Sequence, residues 1–291
     1  LESHVIGDPT FRFAPVPGSV DVDGLLLQNK VSSWKKLLKS PLPDVQSLAI
    51  EQLRRAGALS SADLLRIYRE SPYGVVRLEA LMALSAPPDN HFITAVTEAS
   101  QDAYELVQRQ AIRFIAKNGD RRLIPALIRL SIANNTSDRC NFNVMTALAC
   151  FPKEDLLAEF DRQFDAPSVQ YLDKNNLRGK IRNTIAHSAD RLTTDIDKVV
   201  KGEASEKDRT FTIRALRNTL PHHKVPELLV YLQNCGDGNT QILLLEALGW
   251  HTVSCHAADI AATALKMSED ASLPDAVRQE ALKTYRRIHE K

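Results

Sequence analysis

Val76-Arg77-Leu78-Glu79-Ala80-Leu81-Met82-Ala83-Leu84 carries a pattern of residue types that the chain repeats. Thirty-one residues earlier stands Val45-Gln46-Ser47-Leu48-Ala49-Ile50-Glu51-Gln52-Leu53, and thirty-one later Val107-Gln108-Arg109-Gln110-Ala111-Ile112-Arg113-Phe114-Ile115. Near the end it returns as Val277-Arg278-Gln279-Glu280-Ala281-Leu282-Lys283-Thr284-Tyr285. The shared template is an apolar residue, a Gln or Arg, two free positions, Ala, Ile or Leu, two more free positions and a large apolar residue. At about 100° per residue, offsets 0, +4, +5 and +8 fall at roughly 0°, 40°, 140° and 80°, which is one apolar stripe on a helix. Weaker copies start at Cys140, Leu177, Phe211 and Thr240. The eight anchors follow one another at a mean interval of about 33 residues, the mark of stacked units that bury their apolar faces against neighbours.

Composition agrees. Aromatic residues make up 6% of 291, Gly numbers only 11, and Leu and Ala dominate, which favours helix over sheet. Thirty-seven basic residues against 36 acidic ones leave a net charge of +1, which excludes a general nucleic-acid or membrane-surface binder. No apolar run approaches the ~20 residues of a membrane helix.

From Asp23 onward the sequence alternates outer and inner helices in eight pairs. The outer helices are expected at Gly24 to Lys39, Ser61 to Glu70, Asp89 to Ala99, Arg121 to Ala133, Lys153 to Phe164, Leu192 to Lys201, Val225 to Asn234 and Ala257 to Ser268. Ser60 with Asp63 reads as a capping pair, and Pro41, Pro72, Pro88, Pro152 and Pro274 sit where a Pro can open a helix but not continue one. The runs 165–171 and 268–273 read as extra loop. The expected fold class is therefore all-α, a right-handed α-solenoid of about eight antiparallel helix pairs spanning 23–291, after a short non-helical segment at 1–22. Ala49, Ala80, Ala111, Ala215 and Ala281 are expected where helices approach most closely. The polar residue at offset +1 lies at ~100°, inside the apolar arc, and needs a partner.

The Val-Arg-x-x-Ala-Leu core at Val76 and Val277 resembles that of the HEAT repeats, leaning to the short bacterial variety related to bilin-lyase repeats, over residues 24–289. That resemblance implies an armadillo-like scaffold with inner helices on a concave side. It also implies an Asp–Arg ladder: Asp44 and Asp275 occupy the Asp place, while Gln46, Gln108, Asn141, Thr212 and Gln241 stand where Arg is usual. At the start, Ile6-Gly7-Asp8-Pro9-Thr10-Phe11-Arg12 resembles the closing strand of gingipain-like cysteine peptidases. With Ala14-Pro15-Val16-Pro17-Gly18 as linker, residues 1–18 read as the tail of an upstream domain, and 23–291 as a C-terminal module.

No Gly-rich phosphate loop, Gly-x-Ser-x-Gly, His-Glu-x-x-His or zinc knuckle occurs, so no catalytic residue and no cofactor is expected. His251, Cys255 and His256, with His222 or His223, are ligand types that suit zinc, but they span a turn and read as ordinary turn residues. Cys140, Cys150, Cys235 and Cys255 contain no Cys-x-x-Cys and read as buried thiols. Asn134 and Asn135 open overlapping glycosylation tripeptides.

Charge is more informative. Offsets +2, +3, +6 and +10 of the inner helices face away from the stripe, and there stand Arg109, Arg113, Lys117, Lys180, Arg214 and Arg217. Unit four between them is neutral, with Phe142, Asn143 and Thr146. The expected function is a non-catalytic scaffold whose groove binds a protein or an acidic, polyanionic ligand across unit four. The alternatives are an accessory domain of a gingipain-like peptidase and a lyase-like repeat enzyme. The compartment follows from the same choice: cytoplasmic for a complete chain, cell envelope or secreted for a peptidase tail.

Overall fold

The structure is a computed structural model that describes Gly24 and residues 30–84, 88–134, 141–164 and 174–289. Among the described residues there are fifteen α-helices and no strand. The chain divides into two compact units, the first ending at Ala58 and the second beginning at Leu59. The expected segment 1–22 and the loop at 165–171 lie outside the described residues, as do Cys140 and most of the glycosylation tripeptides.

In the first unit, α1 (Val31–Leu37) packs on α2 (Pro43–Arg55). Pro43 stands at the start of α2, where its missing N–H costs nothing. Val45, Ala49, Ile50 and Leu53 are buried, as the template requires, and Trp34 of α1 is buried as well.

The second unit runs α3 (Ser61–Glu70), α4 (Gly74–Ala83), α5 (Asn90–Ala99), α6 (Glu105–Asn118), α7 (Ile124–Asn134), α8 (Asn141–Leu148) and α9 (Lys153–Phe164). It continues through α10 (Lys174–Val200), α11 (Glu206–Leu216), α12 (Val225–Asn234), α13 (Gly238–Leu248), α14 (Ala257–Glu269) and α15 (Asp275–His289). Successive helices pair, and the pairs stack in two rows. The second helices touch in the order α4, α6, α8, α10, α11, α13, α15, while the first helices follow as α3, α5, α7, α9, α10, α12, α14. The contact between α5 and α7 is made through the 3-10 turn Arg121–Leu123. The stripe is the packing face: Val76, Ala80, Leu81 and Leu84, then Val107, Ala111, Ile112 and Ile115, then Leu244, Leu245 and Leu248 are all buried. Each such Val, Leu or Ile side chain contributes about 1.5–3 kcal/mol on leaving water.

The +1 residues find the same kind of partner in four units. The side-chain amide of Gln46 donates to the Ser40 carbonyl, that of Gln108 to Ser100 at 3.0 Å, and that of Gln241 to Leu232 at 3.1 Å. Arg77 donates to the carbonyls of Ser71 and Pro72 at 3.2 and 3.1 Å. In each case a polar group inside the apolar arc satisfies the unbonded carbonyls at the end of the helix before it. Arg77 adds a fork to Asp102 at 2.8 and 2.7 Å, and Tyr68 donates to the same carboxylate at 3.1 Å. This is a ladder rung, but its acid is Asp102 from the turn of the next unit. Asp275 instead pairs locally with Arg278.

Three expectations are corrected in the second half. The outer helix expected at Leu192 to Lys201 is not separate: α10 is a single helix of 27 residues serving as second helix to α9 and first helix to α11. Residues 186–191, Ala-His-Ser-Ala-Asp-Arg, contain neither Pro nor Gly to end it. In α11 the register is one residue on from the expected one. Phe211 is 75% exposed while Thr212, Ile213 and Leu216 are buried. Ala215 is consequently only half-buried, unlike Ala49, Ala80, Ala111 and Ala281, which are fully buried.

Candidate binding cleft

Two histidines of the 222–256 region, His222 and His251, are engaged with backbone across the array. His222 Nε2 lies 2.8 Å from the Ala116 carbonyl and Nδ1 3.0 Å from Ser254 Oγ. A carbonyl only accepts, so Nε2 carries the proton and Nδ1 accepts from the Ser254 hydroxyl. The His222 N–H donates to the Cys150 carbonyl at 3.0 Å. Asn118 Nδ2 donates to the Val253 carbonyl at 2.8 Å, and the Cys255 N–H returns the bond to the Asn118 carbonyl at 2.7 Å. His251 Nε2 lies 2.6 Å from the Leu216 carbonyl. Bonds over separations of 106 and 135 residues join the C-terminal end of α6 to the turns before α12 and α14, beyond nearest neighbours. Gly119, which ends α6 at φ +71, makes room: a Cβ there would stand 2.0 Å from the His222 ring.

Burial pushes the His222 pKa down to about 3, outweighing the Ala116 bond, and lowers that of His251 as well. Both rings are neutral structural pins. Their nitrogens are turned to carbonyls and a hydroxyl, and among the described residues no three His, Cys, Asp or Glu side chains converge on a point. Burial raises the Cys150 thiol to about 12 and that of Cys255 to about 11, far from thiolate chemistry at neutral pH.

The open feature lies one step away. A cleft of about 320 Å³ is bounded by Thr146 of α8 and Ala149 just after it, Ser188 and Leu192 of α10, and Phe211 and Ala215 of α11. It exists because α10 runs on where other units turn. α10 touches helices of both rows, and its residues His187, Ser188, Leu192 and Asp195 form one wall of the cleft beside α8 and α11. The volume is at the small end of ligand pockets, room for one side chain of a partner. Met145, Ala149, Leu192, Phe211 and Ala215 give the cleft its apolar surface, and Thr146, His187, Ser188, Asp195 and Thr219 its polar groups. Ser188 Oγ is buried without a hydrogen-bond partner. Phe211 stands at the mouth with most of its ring in solvent.

None of the sequence-predicted cations lines this cleft. Arg113, Lys117, Lys180 and Arg214 are exposed on α6, α10 and α11. Arg109 is paired with Glu105 at 2.6 Å on its own helix, and Arg217 lies 3.6 Å from Glu246. Asn143 is half-buried, and the Phe142 side chain lies outside the described ones. Sequence reading missed Phe211 and Trp250 as surface aromatics, the latter 47% exposed. Trp250 stands at offset +10 of its unit, an outward position, so its signal was present; Phe211 was hidden by the one-residue register error. In comparison with known proteins, no family model matches the chain and no curated protein matches it.

Proposed function

We propose that residues 59–289 are a HEAT-like, solenoid-type repeat scaffold that binds an extended peptide segment of a protein partner without transforming it. One apolar side chain of the segment enters the cleft beside Phe211, and acidic residues flanking it meet Arg113 and Lys117 on one side and Arg214 and Arg217 on the other. The observation carrying this reading is the cleft with a phenylalanine 75% exposed at its mouth. An aromatic ring left in water forgoes burial that a partner restores, and such rings in small apolar pockets anchor interfaces. Exposed cations contribute at most about 1 kcal/mol each and mainly steer the encounter, so affinity falls steeply with salt.

The test is selection of a random-peptide display library on the immobilised protein at low and high salt. A consensus with one large apolar residue flanked by Asp or Glu is expected, lost on Phe211→Asp and weakened by Arg113→Glu with Arg217→Glu, while melting temperatures stay unchanged. Peptides that bind wild type and Phe211→Asp equally, with no salt dependence, would overturn the reading.

A further inference from the structure

On the far side of α11 from the cleft, three adjacent units bring Arg217, Trp250 and Arg287 together. The Arg217 guanidinium carbon lies 4.6 Å from the centre of the Trp250 ring system, and that of Arg287 lies 4.9 Å from it. Trp250 and Arg287 share offset +10 of neighbouring units, so the stacking of α13 on α15 brings them side by side. A guanidinium drawn to an indole face is held in one orientation while its N–H edge stays free to donate. Arg287 Nη1 is buried without a hydrogen-bond partner, close above Gly249, where a Cβ would stand 2.7 Å away. Gly249 thus lets Arg287 in, and the Trp ring fixes it. Glu246 at 3.6 Å from Arg217 offsets one of the two charges, leaving a net charge of about +1 on the cluster.

We propose that this cluster is a carboxylate-binding site for an acidic residue of a peptide partner, with Trp250 as the platform, the exposed Arg217 guanidinium as the donor and Arg287, set into the surface at Gly249, as the second positive charge. A single residual positive charge matches one carboxylate better than a phosphate dianion, and planar forks match its two oxygens. The inference rests on the reading that this face binds an extended peptide; it adds that the chain crosses α11 and leaves an acidic side chain beyond it.

The site is tested by acrylamide quenching of the intact protein. Trp34 is 1% exposed and Trp250 47%, so the quenchable emission belongs to Trp250. Hexaglutamate is expected to protect that emission saturably, hexaglutamine not at all, and inorganic phosphate only at far higher concentration. Arg217→Gln and Arg287→Gln each weaken protection about fivefold. Phe211→Ala leaves it intact while removing capture by the cleft, which separates failure of this site from failure of the cleft. No protection by hexaglutamate, equal protection by hexaglutamine or by phosphate at the same concentration, or indifference to Arg217→Gln would overturn the proposal. The Arg217 side chain is 51% exposed, so that variant keeps its fold and decides the matter even where Arg287→Gln does not fold.

Discussion

The two ends of the second helices are held by different means. At their N-terminal ends, Gln108 and Gln241 each reach one carbonyl of the preceding helix, and Arg77 reaches two and the Asp102 carboxylate. These bonds join a helix to its own pair or to the next unit. At their C-terminal ends, Asn118 and His222 tie units that are three or four places apart, and Ser254 ties His222 to the neighbouring unit. The first edge is stitched by a residue type that recurs with the repeat, the second by residues that occur once. A repeat code specifies neighbours, whereas closure across several units needs residues that break the code.

The most severe way to break the comparison is at Gly119. Gly119→Ala adds left-handed backbone strain to a Cβ overlapping the His222 ring, and is expected to cost about 3 kcal/mol or more in urea unfolding. The same change at Gly57, which has φ +63 but open space, costs only the backbone part. Equal losses at the two sites would show that the His222 contact contributes nothing.

Acid separates the edges by pH. His222 has a folded pKa near 3 against about 6.5 unfolded, so below pH 6.5 the unfolded chain takes up a proton that the fold refuses. Its stabilising effect is full above that value and is lost as pH falls toward 3, by a few kcal/mol in all. For Asp102, burial acts to raise the pKa, but the Arg77 bonds, the Tyr104 N–H and the Tyr68 hydroxyl together hold it below the ordinary carboxylate range. Its contribution is present above an unfolded value of about 3.9 and is lost only as pH drops beneath that. Unfolding free energies measured from pH 7 to 3 should therefore decline first through the histidine edge, and His222→Gln should flatten the decline between 6.5 and 4. A decline confined to below pH 4 would refute the ordering.

Arg77→Leu leaves the Asp102 carboxylate, whose side chain is 5% exposed, without its fork and is expected to cost about 2 kcal/mol in chemical denaturation. The smallest test sharpens the register. Ala111→Leu overpacks a fully buried contact and should cost about 1–3 kcal/mol, whereas Ala215→Leu projects into the cleft and should cost under about 0.5 kcal/mol while lowering peptide affinity. Similar losses at both positions would restore the register expected from Phe211.

What the sequence made legible divides along the same line. Helix boundaries such as Ser61–Glu70, Lys153–Phe164 and Val225–Asn234 follow from caps, prolines and the stripe, and Ser60 makes its capping box with Asp63. The continuity of α10 was readable from the absence of a breaker at 186–191 and from the single stripe Ile181, Ile185, Ser188, Leu192, Ile196 and Val199 that runs through it; the turn expected there followed from the repeat spacing alone. The closure was not readable, because its acceptors are the backbone carbonyls of Ala116, Cys150, Leu216 and Val253, which no side-chain pattern marks. The cleft follows from those two features together, and the predicted cations were found by counting outward offsets, a method blind to empty space.

Cys150 has its carbonyl bonded by His222 and its own thiol held 3.4 Å from the Thr146 carbonyl, with 1% of its surface exposed. Cys255, by contrast, is exposed on the turn before α14. Both thiols are protonated and slow toward a disulfide reagent at neutral pH, but Cys255 reacts without any opening of the fold, whereas Cys150 must wait for a breathing motion of the closed edge. The two thiols are a stopwatch built into the chain: the delay between their labelling times how often the far units of the array let go of one another.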